Sequence, residues 1–265
     1  MKNALLVPGV FFLSLLSAII IFAFFGGIAL RYELAAPLES GSARLLLICM
    51  VQRACYTFPV ALISAVIGVY AFLMRHHTKR IVAISLFLVC ALFTVTVIIP
   101  ACYAQLPSVE KALTAYTPTV PADKTLTAFI NKPPFLTLLR QGADKLFYDI
   151  YAAYTLNFGV YLFFVCTFFL CVSSFWFVCA ITRWNLFNLL FLFLLSGTFL
   201  LVYPYIQQGE FHTALSNFLL MNTGSTPFRT PLLFCIVAVI FHSIGGLKML
   251  LISSKTKKGA PHKNA

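Results

Sequence analysis

Three residues carry polar chemistry where the surrounding chain is apolar: Gln52, Arg53 and His242. A histidine inside a membrane span is costly and by default a functional candidate. Ser243 follows His242 directly. Adjacent helical residues do not face one another, so the two cannot form a local nucleophile–base pair. A serine from another helix would be needed, and Ser173, Ser174 and Ser196 are available. An intramembrane enzyme using His242 is therefore one reading. A neutral imidazole bonded to a neighbouring helix is the simpler one. Gln52 and Arg53 stand at the edge of the second apolar run. They mark either the polar cavity a permease needs or an arginine reaching for lipid headgroups.

The other reactive side chains argue for restraint. All seven Asp and Glu lie outside the apolar runs. Proton-coupled carriers usually hold a buried acid or a broken helix at the midplane, and intramembrane acid–base hydrolysis uses paired carboxylates. The eight cysteines, Cys49, Cys55, Cys90, Cys102, Cys166, Cys171, Cys179 and Cys235, all lie in apolar runs. They form no C-x-x-C pair and no Cys/His spacing suited to zinc. They read as small buried hydrophobes, although Cys102 falls toward the same side as Cys49 and Cys55, which leaves a disulfide to either one open. His76–His77 is a short basic turn, and no G-x-x-x-x-G-K phosphate loop occurs. The residue pattern assigns no catalytic group, no metal and no cofactor.

What positions these residues is a membrane bundle. Hydrophobic residues make up 61% of the chain, charged residues 10%, and mean hydropathy is +0.94. A soluble domain carries roughly 25% charged residues, so a water-soluble core is excluded. The fold class that follows is all-α: a polytopic integral membrane protein of six transmembrane helices with a small helical extracytoplasmic cap. The spans fall near residues 10–30, 45–74, 81–104, 156–181, 186–206 and 232–252, each near or above the roughly 20 residues that cross a bilayer. The chain divides into a membrane half (1–104), a partly helical extracytoplasmic insert (105–155), a second membrane half (156–253) and a basic cytoplasmic tail (254–265).

Charge sets the orientation. Lys2, Arg75, Lys79, Arg80, Arg183, Lys248 and the tail from Lys255 to Lys263 lie on one side with no acid among them, while all seven acids lie on the other. The positive-inside rule puts the first side in the cytoplasm, together with both termini. A bacterial cytoplasmic membrane is the expected location. The tail then touches anionic lipid. The net charge of +12 needs no nucleic acid, because no aromatic-interleaved basic patch is present. Lys2 and the apolar run after it resemble a signal peptide, but the run is longer than usual and no small-residue cleavage site follows; an uncleaved first helix is expected.

The outer segments carry the remaining pattern. Pro107, Pro118, Pro121, Pro133 and Pro134 break the first part of the insert into short pieces. Its second part predicts a helix: Leu139, Ala143, Leu146, Phe147, Ile150, Tyr151 and Tyr154 form one stripe, with opposite charges at Arg140/Asp144 and Lys145/Asp149. That helix is expected to run straight into span four. A second stripe, Phe211, Leu215, Phe218 and Leu219, predicts a short interfacial helix. Both stripes suit packing on the bundle or docking of a partner or lipid. Span two is longer than a bilayer requires. Its stretch 45–51 should protrude and need cover from the insert, and Pro59 should kink it. Ala61, Ser64, Ala65 and Gly68 give it a close-packing face.

Three spans, an outer insert and three more spans, with Phe58-Pro59-Val60-Ala61-Leu62 near the outer end of span two, resembles the permease subunits of lipopolysaccharide export. The resemblance implies a chain that moves a lipid using a separate ATPase. Two features depart from it. The cytoplasmic stretch after span two is only 75–80, where those permeases have a longer segment that docks on the ATPase. The insert is short for the β-domain they carry. No functional residue is carried over.

The sequence thus favours a non-enzymatic integral membrane component of a cell-envelope assembly that contacts partners through its outer helices. A permease-like subunit moving a lipid or apolar substrate with a separate energy source is the alternative, and an intramembrane enzyme using His242 the third. The partners implied are membrane lipids and either an envelope protein or a separate ATPase.

Overall fold

The computed structural model describes residues 2–33, 42–76, 80–114, 134–179, 184–206, 217 and 226–258. Among these, every element is helical. A short 3-10 turn, Lys2–Leu6, leads into α1 (Val7–Glu33). There follow α2 (Ser42–Tyr56), α3 (Phe58–Arg75), α4 (Arg80–Phe93), a π turn (Thr94–Ile98), α5 (Ile99–Thr114), α6 (Pro134–Leu156), α7 (Phe158–Cys179), α8 (Asn185–Ile206) and α9 (Thr226–Lys258).

Six segments are long and apolar enough to cross a membrane: Ala4–Arg31, Phe58–Arg75, Ile81–Thr114, Phe158–Cys179, Asn185–Ile206 and Phe228–Leu247. The chain is an all-α polytopic membrane protein. α3 and α7 are the inner helices, and the lipid-facing sides of α1, α8 and α9 stay apolar. α3 packs on α1, α7 and α8, and α7 packs along α9. The small-residue face of α3 meets α1: a side chain on Gly68 would overlap Ser14. Phe11, Leu62, Val66, Phe168, Phe175 and Phe234 fill the core between them.

Span two is not one helix. It breaks at Thr57 into α2 and α3. Pro59 has no N–H for the carbonyl of Cys55. On either side of it the helical pattern persists, with Thr57 N–H donating to Arg53 O (3.0 Å) and Ala61 N–H to Thr57 O (2.9 Å). The Thr57 hydroxyl also donates to the carbonyls of Arg53 (2.5 Å) and Ala54 (3.1 Å). α2 and α3 are thus separate helices joined through Thr57. The apolar residues of α2 do need cover. Leu45 and Cys49 are buried with Leu113 of α5, against Leu30 of α1. The insert supplies part of that cover and the end of span one the rest.

Span three is longer than expected. Pro107 sits inside α5, and the helix continues to Thr114. Deeper in the same span the backbone widens into the π turn. There the Ile99 N–H bonds to Thr94 O rather than to Val95 O. In that register Val95 O would await an N–H from residue 100, which is a proline. The Tyr161 hydroxyl of α7 donates to it instead, at 2.7 Å and fully buried. A carbonyl left unpaired in hydrocarbon costs several kcal/mol, so this one side chain makes the widened turn tolerable.

The helix in the second part of the insert is present as α6. Leu146, Phe147 and Ile150 of its stripe are buried, and Arg140–Asp144 (3.5 Å) and Lys145–Asp149 (2.7 Å) are paired. It crosses α8 closely: a Cβ on Gly142 would collide with the Leu200 carbonyl. α6 leads into α7 through a single non-helical residue, Asn157, whose side chain accepts the Gly159 N–H at 2.7 Å. At the other end of the chain α9 runs on to Lys258, so the start of the basic tail continues the helix of span six. The turn at 180–183, the prolines at 118, 121 and 133, the stripe Phe211 to Leu219 and the tail beyond Lys258 lie outside the described residues.

Candidate functional site

The polar residues gather where α2, α5 and α6 meet above the bundle. Arg53 points from the last turn of α2 toward α6. Its Nη1 is 3.3 Å from Asp144 Oδ1, its side chain is 11% exposed, and its guanidinium lies 5.4 Å from the centre of the Tyr56 ring. Asp144 also takes Arg140 on its second oxygen. The stem of Arg53 packs against Gly26 of α1. Arg53 thus folds into the cap rather than reaching outward.

Tyr56 is the hub. Its hydroxyl donates to Glu110 Oε1 (3.2 Å) and accepts from Tyr148 (3.4 Å) and from the Gln52 amide (3.5 Å). Its ring stacks on Phe147 at 4.0 Å. Gln52 is 8% exposed. Burial, then the hydrogen bond to Tyr148 and the charge of Glu110, hold the Tyr56 phenol protonated well above the ordinary tyrosine range. Burial and Glu110 push Tyr151 the same way. Nearby, Tyr203 of α8 donates to Asp149 at 2.7 Å and ties α6 down.

Chemically this is a closed network. Its acids are engaged by arginine, lysine or tyrosine, and its phenol is a hydrogen-bond donor at physiological pH. Arg53 Nε and the Tyr103 hydroxyl are buried with no hydrogen-bond partner among the described residues. Among the described residues no three His, Cys, Asp or Glu approach closely enough to hold a metal ion.

His242 belongs to another place. It lies midway along α9, on an exposed face, with its ring 4.6 Å from that of Phe177. Its Nδ1 is 2.7 Å from Ala238 O. A carbonyl only accepts, so Nδ1 carries the hydrogen. No second polar side chain meets it among the described residues. Ser173, Ser174 and Ser196 are bonded to carbonyls of their own helices. The structure therefore brings Gln52 and Arg53 together and leaves His242 apart from both.

Tyr56, Glu110, Asp144 and Tyr148 were not among the site residues expected from the sequence, where Asp144 figured only as the partner of Arg140. Tyr56 had a signal, since it falls one turn after Gln52 on the same helical face. Glu110 and Asp144 had none, because they meet α2 across separations of 54 and 91 residues. No family model matches the chain, and no curated protein or solved structure is significantly similar to it.

Proposed function

We propose that this protein is a non-enzymatic component of a cell-envelope assembly in a bacterial cytoplasmic membrane, with both termini cytoplasmic and partners engaged by the outer cap. One observation carries the reading. Polar groups are concentrated in a self-paired helical cap, while serine and threonine hydroxyls inside the bundle are spent on their own helices and the hydroxyls of Tyr70 and Tyr161 on backbone carbonyls of neighbouring helices. Thr94, Thr167, Ser174 and Ser196 each donate to a carbonyl three or four residues back. That interior offers little to a polar substrate, and the cap is a rigid platform.

Purification in mild detergent with mass spectrometry of co-purifying proteins and lipids tests it. A stoichiometric envelope protein is expected. Recovery of the chain alone would overturn the reading.

A second reading has its own support. The π turn at Thr94–Ile98 interrupts span three, and the joint at Thr57 adjoins the start of span two; interrupted helices are common in transporters. A permease-like subunit moving a lipid or apolar substrate would co-purify with a separate ATPase.

A further inference from the structure

Two of the eight cysteines meet at the joint of span two. Cys55 lies two residues before the Thr57 break, and Cys102 lies in α5 just beyond the π turn. Cys55 Sγ is 3.9 Å from the Cys102 carbonyl oxygen, which sets the two cysteines side by side across the α2–α5 contact. Cys49, the other cysteine at this end of α2, is buried in a separate cluster with Leu45 and Leu113. The geometry points to Cys55 and Cys102 as a redox-closable pair, a modification site at which a disulfide staples the α2–α3 joint to α5.

The chemistry balances with a disulfide-bearing oxidant of the kind an oxidising extracytoplasmic compartment supplies. Cys102 is partly exposed and Cys55 buried. The Cys102 thiolate attacks one sulfur of the oxidant and releases the other as a thiolate. Cys55 then attacks Cys102 Sγ, expels the second thiolate and closes the bond. Two electrons pass to the oxidant, and its two thiols carry away both protons. The hydrogen bond to Cys102 and burial hold the Cys55 thiol protonated, so Cys55 does not start the exchange; it gives its proton to the departing thiolate as it attacks.

The proposal combines a geometric claim with the outer placement of the cap, and the experiment separates them. Whole cells are quenched with an alkylating reagent, and the protein is purified and mapped by peptide mass spectrometry. Cys55 and Cys102 should emerge as one linked pair lacking two hydrogens, with the other cysteines alkylated. C49S should leave the link intact, and C55S or C102S should free the remaining partner. If both thiols are alkylated in cells yet link when isolated membranes receive oxidised glutathione, the outer placement falls and the pairing stands. If they fail to link even then, while the protein keeps its thermal unfolding midpoint, the proposal is overturned.

Discussion

Tyr161 does for the backbone what Pro100 cannot. Its hydroxyl holds the Val95 carbonyl that the π turn strands. Tyr161→Phe should therefore lower stability by about 1–3 kcal/mol, the cost of one buried unsatisfied acceptor. In a Pro100→Ala background the restored N–H offers that carbonyl another partner, and the same substitution should cost less. Unfolding in detergent across this double-mutant cycle checks both statements, and equal costs in the two backgrounds would sink the account. Tyr56 makes a pH prediction. Its folded-state phenol titrates above the ordinary value of 10.0, so the folded chain holds this proton more tightly than the unfolded one. That contribution is fully present below pH 10 and is lost as pH rises beyond it. Thermal melts should be level from pH 7 to about 9 in this respect and drop above about 10, with a smaller drop in Tyr56→Phe.

Helices differ in how openly the sequence announced them. The α6 stripe, with its two ion pairs one turn apart, was legible because every contact behind the pattern is local. The break at Thr57 was legible only as a kink, since Pro59 names a missing hydrogen bond but not how the chain divides around it. Pro107 misled in the opposite direction. A proline removes one backbone hydrogen bond, and the helix continues here because its other contacts hold it, with Leu106 and Leu113 buried on either side. The contacts of Glu110 and Asp144 with α2 stayed invisible because tertiary pairing leaves no periodic trace. Packing of α6 on α8 gives the prediction at this scale. Gly142→Val places atoms against the Leu200 backbone and should cost about 1–3 kcal/mol, as overpacking usually does. Hydrogen exchange should rise along α6 and α2 and change little in α7.

For the molecule as a whole, hydropathy alone defined the bundle, and charge asymmetry alone supports its orientation. Lys111→Cys and Arg75→Cys put thiols at exposed positions on opposite ends. An impermeant maleimide added to spheroplasts should label the first and reach the second only after permeabilisation. The reverse pattern would turn the cap toward the cytoplasm and remove the envelope-assembly reading. The lengths of spans two and three bear on the surrounding lipid. Without α2, span two keeps 18 residues, about 27 Å at ~1.5 Å per residue. The hydrocarbon core averages about 30 Å. Span three, at 34 residues, overshoots it. Span two has no exposed residue from 58 to 74, so its shortfall is met by neighbouring helices and not by acyl chains. Span three presents Leu88, Val89, Leu92 and Val97 to lipid, so the bilayer feels the long helix alone: the protein should tilt that flank or thicken the leaflet beside it.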